Sequence, residues 1–500
     1  MSEYIDKYRE IRKEKTEEDP TINKIVDNLL KKYYVKTIYH KGREKTIWLY
    51  NKGVYKVNGL GILEKEAEEM LGTESNNHKV NEIIGKIQRQ TRIDSDDFFD
   101  EPEGLVLLEN GVFDLKEMKL KEFTKNHHFI KKIPLTYNEA AACPEIMKYI
   151  NETFYEEDIP VIQEWFGFQL YNKYFIKKAM IVYGPKDTGK TVFLNLLTSF
   201  IGYENTAGLS LQEISYGKSF NLTDLYKKYC NIHDDLSGKD LKETGKFKMA
   251  VGNGWVSAEH KFGDRFKFLN YAKHTFACNK IPLNEEIQDD AYWGRWIPIP
   301  LDNQLKGDEI DDFLIQKLTT PQEMQGLLNW ALEGLKRLLK NGKFTYNKTE
   351  KEIKDIMLRF STPLVAFIQD CVIKQDGNRI DKDLVYNIYT QYCENNKMPR
   401  LSKQSLSIKL KKLIPYLLDF RDTKKRYWKG VTVKYDTCDD FKIFGGEVLE
   451  LSNTIHTPQM RVKNKASLTS LPTSQKEILK ELDYNQKELT GIDYDEEKIE

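Results

Sequence analysis

The chain has 500 residues, and its 77 basic and 77 acidic side chains give a formal net charge of zero. A neutral total does not exclude nucleic acid as a partner, but it requires any basic surface to be local and balanced by acid elsewhere. Hydrophobic residues make up 40% of the sequence and charged residues 31%, which is enough apolar material for a soluble globular protein of about three domains.

The N-terminus and the cysteines exclude several classes of protein. The opening MSEYIDKYREIRKEK is charged from its start, unlike a secretory signal, and no apolar run approaches the roughly 20 residues of a membrane span. We therefore expect a cytoplasmic protein without membrane contact. The cysteines form no CxxC pair and no Cys/His cluster at zinc spacing, which predicts scattered reduced thiols. They are Cys143, Cys230, Cys278, Cys371, Cys393 and Cys438.

The front third of the chain predicts a small α+β domain. Residues 1–45 are highly charged and have a helical pattern. From Thr46 to Asn58, apolar and polar residues alternate around a turn, as in a β-hairpin. A second hairpin is predicted at Leu105–Leu115, because its central Asn-Gly pair tolerates the positive φ angles of a tight turn. We predict a charged helical segment at 1–45 and an α+β domain at 46–145.

A phosphate-binding loop is the strongest motif in the chain. After two helical stretches, the apolar run Ala179–Tyr183 reads as a buried strand, and the segment from Val192 onwards has helical spacing. Between them lies GPKDTGKT, which matches GxxxxGK[ST] in the strand-loop-helix context that the motif requires. Its residues are Gly184, Pro185, Lys186, Asp187, Thr188, Gly189, Lys190 and Thr191.

The parts of this motif indicate how it would bind ATP and Mg²⁺. Gly184 and Gly189 let the backbone curl so that its N–H groups face phosphates. The helix that starts near Lys190 directs its positive end toward them, and the ammonium group reaches the β and γ phosphates. The Thr191 hydroxyl supplies a ligand to magnesium.

A second strand that ends in acid should complete the site. The best candidate is Tyr229–Leu236, in which Asp234 and Asp235 follow a strand that Asn231 and His233 make unusually polar. One carboxylate can bind magnesium while the other activates water, and the sequence leaves open which does which. The alternative is an ordinary Asp-rich turn.

Two further polar residues follow this pair. Asn279 comes directly after an apolar strand, where it can bond the γ-phosphate or the attacking water; the alternative is a turn before Pro282. Arg295 lies on an aromatic-rich segment, where it can act as an arginine finger toward a neighbouring subunit. The alternative for Arg295 is a structural guanidinium stacked between Trp293 and Trp296. Residues 310–343 then return to a helical pattern.

The C-terminal part predicts a DNA-binding unit. Three helices and two short strands around a basic turn, between Thr362 and Tyr435, have a winged-helix pattern. The basic amphipathic helix Lys403–Leu413 stands where such a fold places its recognition helix. The local excess of positive charge is typical of phosphate binding, and the alternative is a protein-interaction module. The candidate DNA contacts are Lys409, Lys411, Lys412, Lys424, Lys425 and Arg426.

The order of these motifs resembles the superfamily 3 helicases, and more closely the helicase part of phage, plasmid and poxvirus-type primase-helicases. The similarity spans roughly residues 45–345, including LLENGVFDL before the phosphate loop and ACNKIP and DDAYWGRWIPIPL after it. The resemblance implies an AAA+-like core that assembles as a hexameric ring and moves along single-stranded DNA, usually 3′ to 5′.

The resemblance also implies a DNA-gripping hairpin between the acidic and Asn motifs. It corresponds here to Val256–Phe266, where Lys261, with His260 beside it, would contact the DNA backbone and Phe262 would pack against sugars or bases. Lys248 matches a family lysine near the same loop.

The chain departs from the primase-helicases at its front. Only about 45 residues precede the similar region, and Asp94-Ser95-Asp96 offers a DxD without a following SxH, so we interpret it as a surface loop and expect no primase in this chain. The lone pair His127-His128 is interpreted as a solvated loop and not a metal site. A separate primase or polymerase is therefore expected as a partner.

These patterns predict the α/β fold class, with an AAA+-like P-loop NTPase core, a small α+β N-terminal domain and a C-terminal winged-helix domain. We place the ATPase domain at 146–345, the winged helix at 355–440 and a flexible acidic tail at 465–500. The predicted function is an ATP-dependent replicative helicase that acts on single-stranded and forked DNA. The main alternative is an origin-binding initiator or loader ATPase without processive unwinding; a small-molecule kinase or a DNA-packaging motor fits less well.

Overall fold

The computed structural model describes residues 20–39, 45–217, 220–236, 240–252, 254–259, 265–284, 286, 289–305, 311–423 and 425–433. It has mixed α/β architecture with several separate sheets. Within these ranges, every helix is too short or too polar to cross a lipid bilayer. The predicted features that lie outside the described residues are the start of the N-terminal segment, His260, Lys261, Phe262, Lys424, Cys438 and the acidic tail.

The N-terminal unit packs helices on one face of a mixed sheet. Its apolar core joins Ile25 and Leu29 of the first helix to Ile47 and Leu49 of the sheet and to Ile83 of a third helix. The strands lie in the order β3-β2-β1-β4, with only the β1–β4 pair parallel. In chain order the elements are α1 (Pro20–Lys32), β1 (Val35–Tyr39), β2 (Lys45–Asn51), β3 (Val54–Lys56), α2 (Gly59–Leu71), α3 (Asn77–Gln90), β4 (Arg92–Asp94) and α4 (Ser95–Phe99).

Both hairpins predicted in this part are confirmed, and three other features differ from expectation. β2 pairs with β3, and β5 (Leu105–Leu108) pairs with β6 (Gly111–Asp114), which β7 (Lys119–Lys121) extends. The helical pattern expected to residue 45 ends at Lys32, because Val35–Tyr39 pairs with β2 as a strand. The DxD stretch is not a loop, since Asp94 ends β4 and Ser95 begins α4.

The paired histidines also differ from the predicted solvated loop. The His128 ring stacks on Phe98 with 5.1 Å between ring centroids, and His127 packs edge-on against Phe129. Burial lowers the pKa of both histidines. His128 therefore joins the aromatic cluster of Tyr55 and Phe98.

The central unit is built on a parallel sheet in the order β14-β8-β13-β10-β9. Its central strands are buried and are flanked by helices, as all-parallel sheets require. In chain order the elements are α5 (Pro144–Thr153), α6 (Ile159–Leu170), β8 (Ala179–Tyr183), α7 (Lys190–Ile201), β9 (Thr206–Ala207), α8 (Leu211–Tyr216), β10 (Cys230–His233), α9 (Gly245–Ala250), β11 (Trp255–Glu259), β12 (Arg265–Leu269), β13 (Lys273–Cys278), α10 (Asp290–Trp293), β14 (Trp296–Pro300), α11 (Leu314–Leu318) and α12 (Pro321–Asn341).

Helices α6 and α12 cross where each has a glycine, Gly167 on α6 and Gly334 on α12. A Cβ on Gly167 would lie 2.4 Å from the backbone oxygen of Ala331, and a Cβ on Gly334 would lie 2.5 Å from that of Gln163. The buried Glu164 carboxylate accepts a hydrogen bond from Arg337 at 2.7 Å, which adds a charged contact to the crossing. The two helices therefore meet backbone to backbone.

The C-terminal unit has its own apolar core, which includes Phe367, Tyr389 and Trp428. It contains the predicted helices and the β16–β17 hairpin, but its sheet has a further strand, β15, in the order β15-β17-β16. Helix α13 (Glu350–Ser361) precedes this unit and packs Ile353 and Met357 into the central core. In chain order the elements of the C-terminal unit are α14 (Pro363–Cys371), β15 (Val372–Asp381), α15 (Lys382–Asn395), α16 (Lys403–Leu413), β16 (Leu418–Arg421) and β17 (Arg426–Val433).

Candidate functional site

The glycine-rich segment 184–189 lies between β8 and α7, as its sequence predicts. Gly184 has φ 152° and Gly189 has φ 88°, conformations that side chains rarely adopt. A Cβ on Gly184 would lie 1.8 Å from the backbone oxygen of Leu301, which follows β14. The loop can therefore pass this close to the neighbouring strand only with glycine at its first position.

Lys190 folds back across the loop that precedes it. Its ammonium group donates hydrogen bonds to the backbone oxygen of Gly184 at 3.0 Å and to that of Pro185. The residue is 8% exposed, and burial lowers its pKa, an effect that nearby acidic groups oppose. The cation is thus held inside the curve of the loop, next to the N-terminus of α7.

The start of α7 and the end of β10 are joined by one hydrogen bond. Thr191 Oγ1 donates to Asp234 Oδ2 at 2.8 Å. Asp235, the next residue, has a left-handed backbone with φ 54°, and its N–H donates to Asp234 Oδ1 at 2.8 Å. The two residues therefore differ: Asp234 contacts the start of the helix, whereas Asp235, which follows Asp234, has a left-handed backbone.

A cavity of about 660 Å³ collects these groups at the carboxyl ends of the central strands. β13 lies between β8 and β10, so the residue after it, Asn279, reaches the same cavity. The predicted residues that line it are Lys186, Asp187, Thr188, Gly189, Lys190, Thr191, Asp234, Asp235 and Asn279.

Several lining residues were not predicted from the sequence. Helix α5 contributes Glu145, Lys148, Tyr149 and Glu152, and α11 contributes Lys317. Tyr149 donates from its hydroxyl to the backbone oxygen of Gly189 at 3.1 Å, and burial raises its pKa. The helical pattern of EIMKYI was visible, but nothing in the sequence placed this helix beside the loop.

Arg295 does not line the cavity. Its guanidinium donates to the backbone oxygens of Lys248, at 3.3 Å, and of Ala291. Lys248 in turn forms an ion pair with Asp289, which also accepts a hydrogen bond from Thr244 at 3.0 Å. Burial lowers the pKa of Arg295. Within one subunit, the predicted arginine finger thus belongs to a polar cluster of its own.

The basic residues of the C-terminal unit are divided between solvent and ion pairs. On α16, Leu406 and Leu410 are buried, whereas Lys409, Lys411 and Lys412 are exposed. Lys411 forms an ion pair with Asp419 of β16. Burial lowers the pKa of Lys280 in the central unit, and the charge of Lys409 adds to that lowering.

The turn before β17 is partly paired as well. Lys425 lies 3.3 Å from Asp381, an ion pair that raises the pKa of Lys425. Arg426, at the start of β17, is exposed. Not every candidate DNA contact is therefore a free cation.

The described residues offer no cluster of three or more His, Cys, Asp or Glu side chains arranged to hold a metal ion. The described cysteines Cys143, Cys230, Cys278, Cys371 and Cys393 are buried free thiols. Thr191 and Asp234 supply two converging oxygen ligands at the candidate site, which suits Mg²⁺ bound mainly through phosphates and water.

Comparisons with known families give three matches along the chain. Residues 4–155 match the family described as D5 N terminal like, and residues 361–442 match Poxvirus D5 protein-like. Residues 182–295, which include most of the cavity, match a family of unknown function, DUF5906. No curated protein matches the chain.

Solved structures similar to this chain include three of the C-terminal region of NrS-1. An apo structure is 13% identical, covers 83% of this chain and 100% of its own, and has a TM-score of 0.41. Two A-form apo structures are 14% and 15% identical, cover 81% and 82% of this chain and 98% and 99% of their own, with TM-scores of 0.42 and 0.41. Scores this low do not establish a shared fold. The D5-like matches at both ends confirm the resemblance, inferred from the motifs, to primase-helicase-like replication proteins of viral or plasmid type.

Proposed function

We propose that this chain is an ATP-hydrolysing DNA helicase of virus or plasmid replication, with an AAA+-like P-loop core. One observation carries the proposal: the cavity at the carboxyl ends of β8, β10 and β13 collects Lys190, Thr191, Asp234, Asp235 and Asn279. These are the side-chain types that phosphoryl transfer from a nucleoside triphosphate requires, on adjacent strands of one sheet.

Each residue has a distinct role in this proposal. The loop from Gly184 to Gly189 binds the phosphates of ATP through its N–H groups, and Lys190 leaves its backbone contacts to pair with the β and γ phosphates. Thr191 and Asp234 would hold Mg²⁺, which neutralises charge on the phosphates when bound. Asp235 orients and deprotonates the attacking water, and Asn279 bonds the γ-phosphate or that water.

The proposed oligomer, DNA contacts and direction of movement follow from the family resemblance. Six copies form a ring that moves along single-stranded DNA, with Arg295 directed at a neighbour's ATP. His260, Lys261 and Phe262 grip the strand, and the C-terminal unit, as a winged helix, binds DNA through Lys409, Lys412 and Arg426. Travel is 3′ to 5′, in the host cytosol, with a separate primase or polymerase.

We propose domains at 46–145, 146–345 and 355–440. The separate core of the C-terminal unit supports the last of these, whereas the central core includes Val106, Phe113 and Leu135 and therefore crosses the first boundary. The alternative function is an initiator or loader ATPase that binds an origin without processive unwinding. The basic exposed side of α16 is compatible with either function. Unwinding itself therefore decides between them.

The test is unwinding of a forked duplex, with ATPase activity measured in parallel. Lys190→Ala should reduce both activities by about 100-fold or more, because it removes a charge that acts on the transferred phosphate. Lys261→Ala should keep ATPase activity and lose unwinding. Lys65→Ala, an exposed lysine on α2, serves as the control and should behave as wild type. ATP hydrolysis by wild type without fork opening at any salt concentration would favour the initiator function.

A further inference from the structure

The β11–β12 hairpin has one face buried against the central unit. Val256 and Ala258 on β11 and Phe268 on β12 are buried. The Phe268 ring lies 5.3 Å from that of Tyr226, and Thr223 donates to the backbone oxygen of Glu259 at 3.0 Å. The opposite face of the hairpin is therefore fixed in orientation and faces solvent.

This outer face carries apolar side chains where alternation predicts polar ones. Trp255 pairs across the strands with Leu269, and their exposed fractions are 61% and 50%. Met249, 46% exposed, adjoins them through Gly254, whose Cβ would lie 3.2 Å from the Met249 Cβ. Contiguous exposed apolar side chains of this size mark binding surfaces in soluble proteins.

The remaining side chains of the outer face indicate which partner binds. Lys267 pairs with Ser257, one step along the face from the Trp255 pair, and is exposed. It has no ion-pair partner in the part of the chain that the structure describes. Arg265, the next basic residue, is instead held by Glu259 at 3.0 Å. An exposed indole with an exposed ammonium diagonal to it suits single-stranded nucleic acid, because bases stack on aromatic rings and phosphates pair with cations.

We propose that Trp255 stacks on a base of single-stranded DNA while Lys267 contacts the adjoining phosphate. This inference rests on the proposed function, since it adds a second contact to a hairpin already proposed to grip DNA at its tip. Leu269, its cross-strand partner, and Met249, which lies next to Gly254, add apolar surface to the same patch. Stacking of this kind does not depend on base identity, which suits a translocating enzyme.

The test measures binding of labelled oligothymidine and of an abasic oligonucleotide of equal length, with a non-hydrolysable ATP analogue present. Trp255→Ala should weaken oligothymidine binding about tenfold or more, and Trp255→Phe should retain most of the affinity. Wild type should bind the abasic oligonucleotide about as much more weakly than oligothymidine as Trp255→Ala binds oligothymidine more weakly than wild type does. Trp255→Ala should bind the two oligonucleotides with nearly equal affinity. Tyr203→Ala, which removes an 86% exposed aromatic ring outside the hairpin, should bind as wild type.

Other results would overturn the inference. Full affinity of Trp255→Leu would mean that apolar area and not stacking is required, as in a protein interface. Dissociation of the oligomer in Trp255→Ala, measured by light scattering, would assign the patch to subunit contacts. If Trp255→Ala binds oligothymidine as tightly as wild type, the inference about Trp255 is wrong but the proposed function stands. If wild type does not bind oligothymidine in any nucleotide state, the proposed function itself is contradicted.

Discussion

Lys397 of the C-terminal unit forms an ion pair with Asp302 of the central unit, with 2.6 Å between Nζ and Oδ2. Tyr155 donates to the same carboxylate oxygen at 2.5 Å. Asn303, the next residue, lines the cavity of the candidate site. The ion pair therefore ties the C-terminal unit to a segment that borders the proposed ATP site.

We predict that this pair stabilises the docking of the two units. A double-mutant cycle with Lys397→Ala and Asp302→Ala should give a coupling free energy of about 0.5–1.5 kcal/mol in chemical unfolding, because the Asp302 side chain is only 16% exposed. The control cycle uses Lys403 and Asp383, which lie 2.6 Å apart but are both more than half exposed, and should give a coupling near zero. Equal coupling in the two cycles would contradict the prediction.

The geometry at the end of β10 predicts different roles for its two carboxylates. Asp234 accepts a hydrogen bond from Thr191, so Asp234→Asn should raise the Mg²⁺ concentration for half-maximal ATPase activity by about tenfold. Asp235→Asn should leave that concentration unchanged and lower kcat by about 100-fold, as expected for loss of a general base. Asparagine also tolerates the left-handed backbone at this position. Reversal of the two effects would exchange the roles.

Arg295 should act on ATP bound by a neighbouring subunit, because it does not line the cavity of its own. Arg295→Ala and Lys190→Ala should each abolish ATPase activity. An equimolar mixture of the two variants should regain measurable activity, since some interfaces then combine an intact loop with an intact arginine. No recovery from a mixture that assembles normally would assign Arg295 to a role within its own subunit.

His274, fully buried in β13, should make stability depend on pH below neutrality. Burial lowers its pKa to about 4 from an ordinary value of 6.5. The unfolded state therefore binds the proton more tightly, so the stabilising contribution is complete above pH 6.5 and is lost as the pH falls to about 4. The loss amounts to about 3 kcal/mol.

Urea unfolding of wild type and His274→Leu at several pH values tests this sign. The variant should lose less free energy of unfolding between pH 6.5 and 4 than wild type does. His78→Leu, which removes an exposed histidine at the start of α3, is the matched control and should keep the wild-type dependence. An unchanged slope in His274→Leu would show that another group titrates in this range.

The local motifs were predictable because each depends on short stretches of sequence. The strand-loop-helix at 179–201 and the hairpin at Asn110-Gly111 follow from apolar runs and glycine positions, and both occur as predicted. β15 was missed because its middle is polar, with Lys374, Gln375, Asp376 and Gly377 in succession. It pairs with β17 through backbone hydrogen bonds, and these do not require alternating apolar side chains that could be recognised in the sequence.

Long-range contacts could not be predicted from one sequence. Tyr149 reaches the phosphate loop because the C-terminal part of α5 lies beside Gly189, and the stacking of His128 on Phe98 joins residues far apart in the chain. Lys411 and Lys425 were chosen for their charge, but their acidic partners come from other elements. The sequence therefore indicates which chemical groups are present more reliably than which of them are free.

The glycine crossing of α6 and α12 has a mechanical consequence. Gly167 and Gly334 bring two backbones into direct contact, so neither helix can slide or roll without collision. We expect the two helices to move as one rigid body. If the proposed ATP hydrolysis moves this pair, we expect the backbone to bend at its ends, at Tyr171 after α6 and at Gly342, whose left-handed backbone ends α12.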